Sequence, residues 1–273
     1  MESYLEKPQT IGLLLDNAVW LVRKYLISLF PLTLLYGVLL FSPSILLTYT
    51  PLQLTEILHQ HQTPYLLINF YLSLLTAGAI LYRLFALANN KPVSNGEAFS
   101  ISLRKSIYST ITLSAVLACV AGCYWIIDQY LMHGIRISVN LPNFGEQSLN
   151  LLGVAVSSLI LVYLTPSFGL VITKNHGPLK ALTASLRLVH GNLNRTLTIL
   201  FMGKLIYFAL ACSVFILLFA LSTVIELNQK LFLYHLIAQT IVAAIASSYL
   251  FAVYCMLLID LDIRYHIKKY FKE

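Results

Sequence analysis

Long apolar runs separated by short polar segments dominate the pattern of hydrophobic and polar positions in this chain. A helix needs roughly 20 apolar residues to cross the hydrocarbon core of a bilayer. Six runs qualify: Tyr25–Leu47, Pro64–Tyr82, Ser106–Ile127, Leu149–Thr173, Thr196–Ile225 and Leu231–Ile259. Lys204 is the only Asp, Glu, Lys or Arg residue within these six runs. The pattern predicts an all-α polytopic membrane protein with six transmembrane helices.

A shorter amphipathic segment precedes the first, third and fifth runs. These segments begin at Ile11, Gly96 and Leu179, and the last two share the triplet Ser-Leu-Arg at Ser102–Arg104 and Ser185–Arg187, 83 residues apart. Repetition at this length indicates a chain built from copies of one supersecondary unit. We predict a single membrane domain, 1–273, made of three hairpin repeats (9–92, 93–176 and 177–273), each preceded by a cytoplasmic amphipathic elbow helix.

Local signals mark the ends of these elbow helices. Ser94 and Glu97 have the spacing of a capping box, Pro178 suits a first helical turn, and Gly191-Asn192 suits a break before the next span. In the third elbow, apolar positions recur at Leu179, Leu182, Leu186 and Val189. The polar stretches 48–63, 128–148 and 226–230 are predicted to be loops on the outer side.

The net charge of +7 has an uneven distribution along the chain. Of the 18 Lys and Arg residues, only Arg136 and Lys230 fall in the predicted outer loops. Such a bias is the positive-inside pattern of membrane proteins, so it predicts cytoplasmic N- and C-termini and attraction to anionic headgroups. Nucleic acid is not a predicted partner.

Sequence motifs for catalysis are missing. The four cysteines lie inside apolar runs without a CxxC pair, and His59 and His61 in a predicted outer loop form no metal-ligand set with a third residue. The chain has no GxxxxGK[ST], GxSxG, HExxH or GxGxxG. We therefore predict no catalytic residue, no metal and no cofactor.

Charged residues at the ends of the runs are the candidate functional groups. Charges inside a bilayer cost several kcal/mol and need an explanation. The candidate lipid or anion contacts are Arg83, Lys204, Arg104, Arg187 and Arg195. For Arg83 and Lys204, the alternative is that a long side chain snorkels to the headgroups. Asp260, Asp262 and Arg264, at the end of the last run, are predicted to form a structural clamp, and the alternative is an acid–base pair.

The segment Leu164–Leu200, LTPSFGLVITKNHGPLKALTASLRLVHGNLNRTLTIL, resembles the YciC-like bacterial inner-membrane proteins and the related membrane domain of some glycerophosphodiester phosphodiesterases. It has an apolar span ending near a proline, a short basic turn, Ala-x-x-x-Ser-x-x-Leu, and a Gly-Asn elbow followed by Arg. Asp262-Ile263-Arg264 is similar to the Asp-Leu-Arg that closes the last span of the phosphodiesterase-linked members. The resemblance implies a bacterial inner-membrane location linked to the envelope or its lipids, and no activity.

Three functions fit the sequence. The first is a protein without catalytic activity that handles or senses lipid, or that supports an envelope complex; its partners are membrane phospholipids and another envelope membrane protein. The second is a small-solute transporter, since parallel hairpin repeats occur in transporters. The third is a membrane enzyme of lipid metabolism, which needs polar groups that converge, such as Lys204, Asp260 and Asp262.

Overall fold

The computed structural model describes the backbone of residues 7–49, 52–126, 144–224 and 229–270. This part of the chain forms eight helices and no strand. The helices are α1 (Ile11–Tyr49), α2 (Leu52–Ala88), α3 (Asn95–Arg104), α4 (Ser106–Ile126), α5 (Phe144–Lys174), α6 (Pro178–His190), α7 (Leu193–Val224) and α8 (Gln229–Tyr270). Long apolar helices are what the apolar runs predict.

Among the described residues, five helices are long and apolar enough to cross a membrane. Their candidate spans are Ile11–Leu40, Pro64–Ala88, Ser106–Cys123, Ala155–Lys174 and Ile237–Ile267. In a bilayer every backbone polar group must be bonded within the protein, and a helix bonds them within one segment. The predicted fifth run, Thr196–Ile225, falls within α7 almost entirely, and most side chains in the second half of α7 lie outside the described residues.

Several boundaries differ from the sequence prediction. Helix α5 begins at Phe144 and α8 at Gln229, inside the expected outer loops 128–148 and 226–230. Residues 128–143 and 226–228 of these loops lie outside the described residues. The first elbow and the first span were expected as separate helices, but α1 is continuous from Ile11 to Tyr49. The expected outer loop at 48–63 is also wrong, because α2 already begins at Leu52 and contains Pro64 in its interior. Leucines recur in residues 52–58 at helical spacing, and a proline removes only one backbone hydrogen bond from a helix. The polar composition of residues 48–63 was therefore not sufficient to predict a loop.

The chain divides into two compact units. The larger unit comprises residues 1–106 and 197–273, and in it α1 packs along α8, while α2 packs on α1, α3 and α8. A Cβ atom added at Gly37 of α1 would lie 2.9 Å from the carbonyl oxygen of Thr240 and 3.5 Å from the Cβ of Ala244 in α8. Small residues thus bring these two helix backbones into close contact, as in many membrane-helix pairs.

The smaller unit, residues 107–196, contains the packing of α6 on α5. The face of α6 that meets α5 consists of Ala181, Ser185, Leu188 and Val189, all buried. The spacing of these four positions places them on one side of a helix. The elbow therefore folds back along the C-terminal half of α5, the helix that precedes it in the chain.

The predicted helix ends are present in the structure. The Ser94 hydroxyl accepts a hydrogen bond from the Glu97 amide, and the Glu97 carboxylate accepts one from the Ser94 amide at 2.9 Å, which completes the capping box of α3. Pro178 occupies the first turn of α6, and Gly191 is its C-terminal cap. These local predictions are confirmed because each depends only on neighbouring residues.

Candidate functional site

The elbow helix α6 carries three different faces. One is the buried face on α5. A second face exposes apolar side chains, with Leu179 79% exposed and Leu186 45% exposed one heptad later. The third exposes the basic and polar side chains Lys180, Thr183, Arg187 and His190. A helix whose apolar and basic faces lie side by side, with a third face fixed to protein, has the surface of an interfacial membrane helix.

One hydroxyl fixes α6 to α5. The Ser185 side chain is fully buried and donates a hydrogen bond of 2.6 Å to the carbonyl oxygen of Tyr163. Because Ser185 is buried, its neighbours Leu186 and Arg187 point away from α5 and are exposed. The sequence pattern suggested a polar role for Ser185 outside the apolar stripe, and it suggested that Val189 shares a face with Leu179. The structure places Ser185 and Val189 together against α5 instead.

The elbow helix α3 makes the equivalent contact in the larger unit. The buried Ser102 hydroxyl donates a hydrogen bond of 2.7 Å to the carbonyl oxygen of Leu75 in α2. Leu103 and Arg104, the next two residues, are exposed. Both Ser-Leu-Arg triplets therefore consist of a serine bonded to the preceding span, an exposed leucine and an exposed arginine.

A further basic residue lies at the junction of α3 and α4. Lys105 is half-buried, and its Nζ lies 5.9 Å from the centroid of the Tyr82 ring. Desolvation by this burial lowers the pKa of Lys105 from its ordinary value. The side chain keeps a cation beside the end of α2, next to the exposed Arg104.

Arg83 lies among backbone carbonyls rather than at the exposed surface. Its side chain is 8% exposed, and Nε donates to the carbonyl of Val93 at 3.1 Å, while Nη1 donates to the carbonyl of Ser28. Asn95 also donates to the Ser28 carbonyl, at 3.1 Å. The guanidinium thus joins α1, α2 and the segment that enters α3.

The remaining predicted lipid contacts are in α7. Lys204 is exposed, and it is surrounded along the helix by the exposed apolar side chains Phe201, Leu205 and Phe208. Such a position is typical of a lysine that snorkels from a lipid-facing surface. Arg195 is half-buried in the first turn of α7. Of the five predicted contacts, Arg104 and Arg187 are the two that occupy exposed positions on elbow helices.

The last helix ends in an ion pair that holds the start of the chain. Asp260 is 1% exposed and accepts from Arg264 Nε at 2.9 Å and from the backbone amide of Gln9 at 2.9 Å. Arg264 also donates through Nη2 to the Gln9 carbonyl at 2.8 Å. The two side chains therefore bind both backbone groups of one residue ahead of α1. The Asp262 carboxylate is more exposed than that of Asp260 and lies 3.8 Å from His266 Nε2.

In the described part of the chain, no three His, Cys, Asp or Glu side chains form a possible metal site. The side chains of His59 and His61 lie outside the described residues. Span hydroxyls mostly bond to their own helix: Thr33 to Leu29, Thr76 to Leu72 and Ser248 to Ala244. This back-bonding satisfies these three hydroxyls, whereas the buried hydroxyls of Ser157 in α5 and Tyr249 in α8 have no hydrogen-bond partner among the described residues.

Sequence reasoning missed the backbone partners of these side chains. The carbonyl of Ser28 and both backbone groups of Gln9 receive bonds from charged side chains, and no sequence motif marks either residue. For the docking of the two elbow helices, the one available sequence signal was the Ala-x-x-x-Ser spacing, which is present at Ala98–Ser102 and Ala181–Ser185. Small residues four apart on a helix indicate a close contact with another helix.

Comparisons of the chain with protein-family models, with curated proteins and with solved structures give no match.

Proposed function

We propose that this chain is a multi-pass protein of the bacterial cytoplasmic membrane that binds and handles anionic phospholipid at its cytoplasmic face and has no catalytic activity. The observation that carries the proposal is the three-faced helix α6, with an exposed leucine face beside an exposed basic face. Sensing of lipid, or support of an envelope complex through bound lipid, are forms of the same function.

The physical basis is a pairing of apolar insertion with charge. Leu179 and Leu186 can enter the boundary between headgroups and acyl chains, while Lys180 and Arg187 remain at the depth of the phosphates. Each cation near an anionic surface contributes about 1 kcal/mol of attraction. The buried Ser185 contact keeps the helix in one orientation, so that both faces act together.

The orientation follows from the basic residues. Arg23 and Lys24 of α1, Arg104 of α3 and Arg187 of α6 all lie in or beside the predicted elbows. Cytoplasmic segments of bacterial membrane proteins carry the excess of Lys and Arg. We place the N- and C-termini and the elbow helices in the cytoplasm on this basis.

Solute transport is the less favoured function. A transport path needs polar groups that are free to replace the hydration of a solute. In the described spans, Thr33, Thr76 and Ser248 bond to their own helices, and Asn69 donates to the carbonyl of Leu39 at 2.9 Å. Because these three hydroxyls and this amide are already hydrogen-bonded within the protein, we assign them a structural role rather than a place in a transport path.

Lipid identification tests the proposal. The protein is reconstituted in nanodiscs of mixed zwitterionic and anionic phospholipid, extracted in mild detergent and examined for retained lipid by native mass spectrometry. We expect selective retention of anionic lipid, reduced severalfold in the double variant Lys180→Ala/Arg187→Ala. The matched control, Lys7→Ala/Lys91→Ala, removes the same charge from exposed positions outside the helices.

Two results would overturn the proposal. One is retention by the unmodified protein in the proportions of the bulk lipid. The other is an equal loss of anionic lipid in both double variants, which would mean that net charge alone governs retention. Uptake of a solute by vesicles that contain the protein would favour the transporter instead.

A further inference from the structure

One backbone carbonyl in the interior of α1 accepts bonds from two side chains of other segments. The Ser28 carbonyl receives the Arg83 guanidinium and the Asn95 amide. A carbonyl inside a helix ordinarily has a single donor, the amide four residues later. Two additional donors at one carbonyl therefore mark an irregular position in the helix.

Pro31 disturbs the helix at the neighbouring carbonyl, that of Ile27. Proline has no amide hydrogen, so the carbonyl of Ile27 lacks its usual donor, and the proline ring crowds that same carbonyl. Prolines inside helices are a common origin of sharp kinks. Residues 27–31 are consequently the weakest part of the hydrogen-bond ladder in the first half of α1.

The regions on either side of this weak part are fixed to the same helix. The chain before α1 is bonded through Gln9 to Asp260 of α8, and Gly37 is packed against Thr240 of α8. Between these two attachments, the contacts that reach the Ser28 carbonyl come from α2 and from the start of α3. The side chains that bond to Ser28 thus belong to α2, the second helix of the first hairpin, and to the second elbow.

The shape of the Arg83 guanidinium allows it to bond to two backbone carbonyls at once. The guanidinium is a planar fork whose donors point in fixed directions, so one side chain can bond to Ser28 and Val93 at the same time. A lysine in its place carries the same charge but offers a point donor. The side chain is buried, so the bonds are shielded from water, which makes them stronger than at the surface.

We propose that residues 27–31 form a hinge between the interfacial part of α1 and its membrane span, and that Arg83, with Asn95, is the latch that sets the angle of this hinge. Arg83 is a positioning residue in this proposal, not a contact for lipid. The interfacial part carries Trp20, which is exposed, with the Lys24 ammonium 4.7 Å from its ring centroid. The latch therefore decides the depth at which this tryptophan lies in the bilayer.

Trp20 also supplies the measurement. The chain has two tryptophans, so Trp125→Phe leaves Trp20 as the only one. The protein is reconstituted in bilayers with lipids brominated at a shallow or a deep acyl position, and the ratio of tryptophan quenching by the two lipids reports depth. We expect Arg83→Gln and Arg83→Lys to shift this ratio in the same direction, with the larger shift in Arg83→Gln.

The matched control is Lys204→Gln, which removes another cation from an apolar helix without removing a contact to α1. We expect it to leave the quenching ratio unchanged. An unchanged ratio in Arg83→Gln overturns the proposal, and so does a ratio in Arg83→Lys equal to that of the parent, because charge alone would then be sufficient.

A second variant keeps the test decisive if Arg83→Gln does not fold. Asn95→Ala removes the other donor to Ser28 from a half-buried position, and we expect a smaller shift in the same direction. No shift in Asn95→Ala would count against the latch. Since none of these measurements depends on selective lipid retention, failure of the latch and failure of the proposed function are separable.

Discussion

The hydroxyls of Ser102 and Ser185, 83 residues apart in the chain, make the same contact in the two compact units. Each donates to a backbone carbonyl of the long helix that precedes its own elbow, Leu75 at 2.7 Å and Tyr163 at 2.6 Å. An alanine lies four residues before each serine, and Ala98 and Ala181 are both fully buried. The repeat in the sequence therefore corresponds to one mode of docking an elbow on a span.

Removal of either hydroxyl is expected to weaken this docking. We predict that Ser185→Ala and Ser102→Ala each lower the free energy of unfolding by about 0.5–1 kcal/mol, the usual range for a hydrogen bond between membrane helices. Unfolding by titration with a denaturing detergent measures the change. Thr183→Ala is the control, because the Thr183 hydroxyl is exposed and bonds only to its own helix. Equal losses at Ser185 and Thr183 would contradict the prediction.

The ion pair at the end of α8 is expected to matter far more than its exposed neighbour. Arg264→Ala leaves the buried Asp260 carboxylate without its cation, so we predict a loss of about 3 kcal/mol in the free energy of unfolding. Asp262→Ala removes a long contact with the exposed His266 and should cost less than about 1 kcal/mol. The same unfolding titration compares the two. Similar losses in both variants would mean that the Asp260 pair does not hold the start of the chain.

The close approach of α1 and α8 predicts opposite effects for two glycines. Gly37→Ala places a methyl group 2.9 Å from the Thr240 carbonyl, so the helices must separate, at a cost of about 1–3 kcal/mol. Gly122→Ala in α4 meets nothing within 4 Å and should raise stability by up to about 1 kcal/mol through helix propensity. Thermal aggregation of the purified variants, followed at a series of temperatures, would show the difference. A neutral Gly37→Ala would contradict the packing described for this crossing.

Acid is expected to loosen the start of α3. Hydrogen bonds from the Ser94 amide and hydroxyl lower the pKa of the Glu97 carboxyl below its ordinary value. A carboxyl whose pKa is depressed in the folded state contributes stability above its unfolded-state pKa, about 4.3 for Glu, and loses it as the pH falls through the lower folded-state value. We therefore expect the amides in the first turn of α3 to become less protected from hydrogen exchange as the pH falls through the folded-state pKa of Glu97.

Glu97→Gln provides the comparison for this acid effect. Glutamine can still accept the Ser94 amide but does not titrate, so the additional acid dependence of exchange should disappear. If the variant and the parent protein show the same acid dependence in this turn, another group is responsible.

The sequence predicted the features that depend on neighbouring residues. Apolar length indicated the spans, and the Ser94–Glu97 spacing indicated the cap of α3. It failed where the outcome depends on distant partners: nothing in the neighbourhood of Ser28 shows that its carbonyl accepts from Arg83. The sequence placed Pro31 inside a span, but it missed the continuity of α1 between the predicted elbow and that span.

The candidate site was predicted in part. Arg104 and Arg187 were named from the repeated triplet, and they are exposed on their elbows. The division of α6 into three faces was not predicted, since a stripe of leucines does not say which apolar residues meet protein and which remain exposed. That distinction required the position of α5.

The contact of α1 with α8 has a consequence for biosynthesis. In the other two elbows, the span on which the elbow docks is synthesised first, so α3 and α6 meet a partner that already exists. Gly37 of α1 packs against α8, which is synthesised after the intervening helices α2 to α7. While the intervening helices are inserted, this face of α1 is not yet in contact with α8. The contact between α1 and α8 can therefore form only after the intervening helices have been synthesised.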